Sequence, residues 1–137
     1  MRIEPYLNMD GCAEEAIDFY RQALGAEVEM LMRMKDSPEP PPPGMVPPGT
    51  DNKVMHASLR IGQTRLMLSD GPCSGKAEFR GVTLSLASTD LAAAKRWFDA
   101  LAAGGEVQMP LEKTFWSPAF GMVKDRFGVS WMINGEA

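Results

Sequence analysis

A lone histidine, two cysteines and a few alternating hydrogen-bonding side chains are the groups in this 137-residue chain best suited to chemistry. Histidine is the side-chain type suited to proton exchange near neutrality, which singles out His56. It lies in Val54 to Ile61, where alternation puts Val54, His56, Ser58 and Arg60 on one face. There it could hydrogen-bond a ligand, pass a proton, or be satisfied by a neighbouring carbonyl or carboxylate. Proton transfer needs a partner at hydrogen-bonding distance, and His56 is the one catalytic candidate. Cys12 and Cys73 are too few and too widely spaced for a disulfide scaffold or a cysteine-rich zinc site, which fits a reduced cytoplasm. Cys12, early in a helix, is open to thiolate stabilisation, although a small buried residue accounts for it as well. There is no phosphate-cradling glycine loop, nucleophile elbow or zincin helix, and one histidine cannot supply a two-histidine metal site.

Composition narrows the classes further. A 45% hydrophobic chain of this length supports one core and excludes wholesale disorder. A net charge of −4 argues against a nucleic-acid surface. No apolar run approaches the ~20 residues that span a bilayer. Charge and proline in Met-Arg-Ile-Glu-Pro-Tyr argue against an export signal, so no membrane or nucleic-acid partner is expected, and the location is cytoplasmic.

Elements must hold these groups in place. Ile3 to Met9 alternates, with Ile3, Pro5, Leu7 and Met9 on one face and Glu4, Tyr6 and Asn8 on the other. Ala13, Ala16, Ile17, Tyr20 and Leu24 then form a helical stripe, with Asp10 as its cap and Gly25 as its stop. Val28, Met30, Met32 and Met34 share one side of the next strand. Seven of the eleven prolines fall in Ser37 to Gly49, an extended spacer loop, with proline-motif recognition as the alternative. Val54–Ile61 and Thr64–Ser69 make a hairpin around Gly62-Gln63. The second half repeats the order: a strand from Val82, a helix over Asp90 to Ala103, a strand from Val107, and a hairpin around Asp125-Arg126-Phe127-Gly128.

An offset of 79 maps Phe19 onto Phe98, Gly25 onto Gly104, Glu27-Val28 onto Glu106-Val107 and Met30 onto Met109. The hairpins follow an offset of 66, Gly62 onto Gly128, and the helices also allow a one-residue slip pairing Phe19-Tyr20 with Trp97-Phe98. The expected fold is therefore α+β: two βαβββ modules whose curved mixed sheet encloses a cavity. The chain reads as one domain, 1–137. Module one is 1–70 with the insertion 37–49, the linker is 71–80, and module two is 81–137. Each helix covers one sheet face, and alternation lines the other with Glu4, Tyr6, Asn8, His56, Ser58, Thr83, Ser85, Phe120, Met122, Ser130, Met132 and Asn134. Trp116 either stacks on a planar ligand at the cavity mouth or fills core; Trp131, Trp97 and Phe98 read as core, and Met122 and Met132 as a pliable wall.

The duplication, with Asp10-Gly11, Ala16 and Phe19-Tyr20 leading into Leu24-Gly25, resembles the vicinal-oxygen-chelate superfamily of glyoxalase I, bleomycin- and fosfomycin-resistance proteins and extradiol dioxygenases. Val54-Met55-His56-Ala57, Leu66 to Asp70, Thr114-Phe115-Trp116, Phe120-Gly121-Met122, Asp125 to Gly128 and Trp131 are similar to its PhnB-like branch. The resemblance implies homodimers, and in catalytic members a divalent metal held by His, Gln or Glu from four cavity-facing positions. Here those positions fall at Glu4 or Tyr6, about Thr83, Leu66 or Met67, and Met132. Only Glu4 among them is a good ligand, so neither a family-type metal nor another cofactor is expected. The expected function is metal-independent binding of a small organic molecule by Tyr6, Asn8, His56, Ser58, Trp116, Phe120, Met122 and Met132. The alternative is a lyase, isomerase or dioxygenase using a non-standard metal site or His56 as acid/base.

Overall fold

Alternation and helical spacing resolve into eight strands and two α-helices in a computed structural model that describes residues 1–39, 44 and 47–137. The proline-rich insertion 37–49 lies partly outside the described residues. Two units separate, Met1–Ala77 and Glu78–Ala137. Unit 1 contains β1 (Tyr6–Asn8), α1 (Ala13–Leu24), β2 (Glu27–Arg33), a 3₁₀ turn (Met34–Asp36), β3 (Val54–Ile61) and β4 (Thr64–Ser69). Unit 2 contains β5 (Thr83–Ser88), α2 (Leu91–Ala102), β6 (Glu106–Glu112), β7 (Ala119–Lys124) and β8 (Ser130–Gly135). The sheets have matching orders, β1-β4-β3-β2 and β5-β8-β7-β6. In each the first and last strands run parallel and the other pairs antiparallel, giving two βαβββ units of an α+β fold. No helix among the described residues is long and apolar enough to cross a membrane.

The stripe of α1 buries Ala13, Ala16, Ile17, Tyr20 and Leu24, as its spacing predicts. These side chains share unit 1's core with Leu7, Ala57, Leu59, Leu66 and Leu68 of the sheet. In unit 2 the core holds Ala94, Phe98, Leu101, Val123, Trp131 and Ile133. Gly121 faces α2 so closely that an added Cβ would lie 2.6 Å from the Phe98 ring. Helix-facing residues therefore alternate with a second, helix-distal face in each sheet.

Several local expectations need correction. Regular β1 pairing covers only Tyr6–Asn8, and Ile3 is exposed rather than packed beside Leu7 and Met9. Asp10 does not cap α1. Its backbone sits in the left-handed region (φ 56°), and its carboxylate accepts from the Ser74 amide (2.6 Å), the Ser74 hydroxyl and the Lys76 amide. The helix entrance is served by Asp70 instead, whose Oδ1 accepts from Gly11 (3.0 Å) and Ala13 (2.8 Å) while Oδ2 accepts from Val54 (2.7 Å). In α2 the local rule holds, with Asp90 accepting from Ala93 at 3.0 Å.

In β2 a bulge at Glu29 pairs Val28 with Leu59 but Met30 with Ser58, so the two side chains belong to opposite faces, and Met34 lies in the 3₁₀ turn. The helices correspond at an offset of 78, Tyr20 with Phe98, because α1 and α2 start at 13 and 91. The hairpins correspond at 64 (Ser58 with Met122) and 65 (Met67 with Met132), not 66, since the unit 2 turn is one residue longer. Trp131 is buried, whereas Trp97 is only half-buried.

Candidate functional site

Ladder partners share a face, so the registers show which side chains stand together. Across unit 1 the helix-distal face carries the row Tyr6–Met67–Ser58–Met30, flanked by Asn8 beside Ser69 and by His56 beside Met32. The expected Tyr6, Asn8, His56 and Ser58 thus occupy one face. The Tyr6 hydroxyl is 3.0 Å from His56 Nδ1, with the rings 5.5 Å apart and inclined by 26°. That contact gives His56 the hydrogen-bonding neighbour that proton transfer would need and that sequence spacing does not reveal. Either group can be the donor, according to the imidazole tautomer. Ser58 is only 8% exposed, and its hydroxyl has no hydrogen-bond partner among the described residues.

Beyond this row lies a charged belt that the sequence reading misses. Arg60 and Arg65 are direct partners across the hairpin, a like-charge pair that calls for a counter-ion. Glu29 supplies it: Oε2 accepts from Arg60 Nη2 at 2.7 Å and Oε1 from Arg65 Nε at 3.3 Å. These contacts, Arg60's first, hold the Glu29 carboxyl below its ordinary value. The bulge is what brings Glu29 to this face, and two arginines bracketing Gly62-Gln63 are the signal that could have found it. Glu4 is engaged by Arg2 (3.8 Å) and Arg65 (3.9 Å).

Unit 2's corresponding row is Ser85–Met132–Met122–Met109, with Ala87–Asn134–Phe120–Glu112 beside it. Phe120, Met122 and Met132 therefore share this unit's helix-distal face. Trp116 packs edge-on against Phe120, with centroids 5.3 Å apart, and Phe115 against Trp116 at 4.7 Å. At 55% exposed, Trp116 is not a core residue of its unit. Asn134, placed on the face by alternation, has a buried side-chain oxygen without a partner among the described residues.

The four strand positions implied for a metal can be tested on donor chemistry. The registers pair Tyr6 with Met67 in unit 1, but in unit 2 they set Met132 beside Ser85 and the expected Thr83 beside Ser130, while Glu4 is engaged by arginines. A phenol, an aliphatic hydroxyl and two thioethers do not suit the hard or borderline ions of the expected site. Among the described residues no three His, Cys, Asp or Glu side chains gather into a metal-holding group. The cysteines are half-buried thiols, and burial raises both above their ordinary value, opposite to an activated Cys12.

Asp125 is a turn-builder. It accepts from the Phe127 amide (2.9 Å), the Val129 amide (3.0 Å) and the Trp131 indole (2.9 Å).

Comparison with known proteins agrees with the backbone plan. Residues 2–133 match the model of the Glyoxalase/Bleomycin resistance protein/Dioxygenase superfamily. The chain is 44% identical to Protein YjdN of Escherichia coli K12, covering 98% of this chain and 95% of that protein. It is also 44% identical to protein PA1353 of Pseudomonas aeruginosa, whose crystal structure superposes with a TM-score of 0.86 over 99% of this chain and 98% of that one. The PhnB protein of Bacillus cereus, at 24% identity, shares the fold with a TM-score of 0.79, over 99% of this chain and all of that one.

Proposed function

The chain belongs to the glyoxalase/bleomycin resistance protein/dioxygenase superfamily, and from that premise we propose that it binds a small organic molecule on its helix-distal sheet faces without a metal. The observation that carries this reading is the unpartnered Ser58 hydroxyl, nine-tenths buried on the same face as the Tyr6–His56 pair. A buried polar group without a partner costs about 1–3 kcal/mol, and a ligand that bonds it recovers that cost. Tyr6 and His56 supply further hydrogen-bonding groups on that face, and the methionines adjust to ligand shape.

Thermal unfolding with planar and cationic metabolites and drugs, in the presence of a chelator, tests the proposal. A bound compound at a hundred times its Kd stabilises the fold by about 2.7 kcal/mol. Stabilisation that survives chelation is expected. A screen without any shift, or shifts that appear only with added divalent ions, overturns it.

One observation favours a second reading. The 3.0 Å contact gives His56 a phenol partner, the arrangement an acid/base pair requires. On this reading the protein is a lyase or isomerase in which His56 moves a proton while Tyr6 fixes its tautomer. His56→Gln and Tyr6→Phe would then abolish turnover with the fold intact. Retained turnover in both variants would eliminate it.

The edge strands β2 and β6 expose Val28, Met30, Val107 and Met109, which supports self-association through sheet edges. A homodimer in sedimentation equilibrium is expected, and a monomer at all concentrations would refute it.

A further inference from the structure

We propose that Met109, Met122 and Met132, aligned across the helix-distal face of unit 2, form a binding site for a soft monovalent cation, copper(I) above all. The proposal goes beyond the small-molecule reading and stands independently of it, because that reading needs no metal.

The placement of the methionines carries it. Unit 2 has three methionines, and all three fall in one ladder row. Met132 of β8 is the direct partner of Met122 in β7, and Met122 is that of Met109 in β6. Methionine used as core filler would lie on the side that α2 covers, where Val123, Trp131 and Ile133 sit instead. The row faces away from α2, with Met109 41% exposed and Met122 and Met132 half-buried. Its thioethers are therefore within reach of a solute.

The spacing suits convergence on one ion. Directly opposed side chains have Cβ atoms about 4.5–5.5 Å apart. A methionine sulfur stands two bonds beyond its Cβ on an unbranched, freely rotating chain. The sulfurs of Met109 and Met132 can swing inward to join that of Met122 with no movement of the backbone. Unit 1's equivalent row lacks this arrangement. Ser58 stands between Met67 and Met30, so those two thioethers lie two strand spacings, about 9.5 Å, apart.

Donor chemistry then selects the ion. Thioethers are soft and neutral, which suits copper(I), whereas zinc takes imidazole, thiolate or carboxylate and magnesium takes oxygen. The adjoining rows bring Glu106 beside Lys124 and Glu112 beside Phe120, two carboxylates against one ammonium, so these rows do not repel a cation. Coordination changes no oxidation state. It also displaces no proton, because a thioether carries none, and in this it differs from binding by thiols or imidazole.

Silver(I), soft and monovalent, is the probe, added as nitrate in chloride-free buffer to the intact chain with ¹³C-labelled methionine methyls. The Met109, Met122 and Met132 methyl signals are expected to shift together, with the same affinity at mildly acidic and at neutral pH. Zinc(II) leaves them in place, and anaerobic copper(I) held by ascorbate moves the same three. Buried thiols compete for silver(I), so the titration is repeated in the double variant Cys12→Ser, Cys73→Ser, which keeps the row's response. Met122→Leu conserves volume and weakens binding at least about tenfold, a loss that even a supporting group causes at metal sites. Met109→Leu, at an exposed position, gives the same result if the central variant fails to fold.

Methyl signals unmoved by silver(I), shifts confined to Met30, Met32 or Met67, or undiminished affinity in Met122→Leu and Met109→Leu would overturn the proposal. So would a response that vanishes in the double cysteine variant or weakens on acidification, which would assign the ion to the thiols. If silver(I) leaves the row unmoved while compounds from the thermal screen stabilise the chelated chain, the cation site falls and the small-molecule reading stands.

Discussion

Tyr6, Met67, Ser58 and Met30 cross the helix-distal face of unit 1, and Ser85, Met132, Met122 and Met109 cross the same positions in unit 2. The backbones under these rows agree even in their irregularities. Register shifts between Val28 and Met30 and between Val107 and Met109 fall at an offset of 79. Yet one face offers a phenol–imidazole pair and an arginine–glutamate belt, and the other offers thioethers beside an aromatic cluster. Duplication kept the frame, and side-chain choice on one face of each sheet separated the chemistry. The units also wire their helices differently. Asp70 reaches α1 from far along the chain, whereas Asp90 caps α2 from the adjoining position.

That difference in wiring predicts unequal losses. Asp70 is 1% exposed and satisfies three amides, those of Gly11, Ala13 and Val54, so Asp70→Ala leaves three donors without it. A destabilisation of about 3–5 kcal/mol is expected in urea unfolding. Asp90→Ala, the loss of one local cap, should cost about 1 kcal/mol. Equal costs would mean that the long-range contact does no more than a cap. Gly121 offers a second contrast, because its counterpart at the offset of 64 is Ala57, which is fully buried without difficulty. In Gly121→Ala the new Cβ meets the Phe98 ring at 2.6 Å and the Leu111 backbone at 3.0 Å. A loss of about 1–3 kcal/mol is expected from the overpacking, measured by thermal unfolding.

The same contrast explains what could be read in advance. Stripes and alternation are local, so α1, α2, the hairpins and the residues sharing a face were legible. The Asp70 contacts were not, because a carboxylate serving an amide 57 residues away leaves no periodic trace. Asp10 stands where a cap is expected, and only its positive φ turns the carboxylate toward Ser74. The bulge at Glu29 was equally silent, since one extra residue reverses the parity of everything beyond it. On the candidate face, Tyr6 and His56 were each placed by alternation, but their 3.0 Å contact depends on register across non-adjacent strands.

Ser58 sharpens the comparison of faces. Its counterpart Met122 is apolar, and Ser58→Ala removes a buried hydroxyl that has no partner. Stability should rise by up to about 1 kcal/mol in urea unfolding, while any compound found in the thermal screen binds more weakly. A fall in stability would show that the hydroxyl is satisfied within the fold.

The smallest effect belongs to the charged belt of unit 1. Hydrogen bonds from Arg60 and then Arg65 lower the Glu29 carboxyl from its ordinary 4.5, and the Ser74 hydroxyl and amide lower Asp10 from 3.8. A carboxyl whose folded-state pKa is depressed adds stability above its unfolded value, and that contribution disappears as pH falls through the depressed one. Unit 1 should therefore loosen slightly as pH drops below about 4.5, with amide exchange rising first around Arg60, Arg65 and Ser74. Because Glu29 is at the surface, added salt should blunt its share of the effect. Glu29→Gln should flatten the acid slope at Arg60 and Arg65 and leave that at Ser74 unchanged, separating the belt from the Asp10 turn. An unchanged slope at the arginines in Glu29→Gln would mean that the bulge places Glu29 on this face without any electrostatic return.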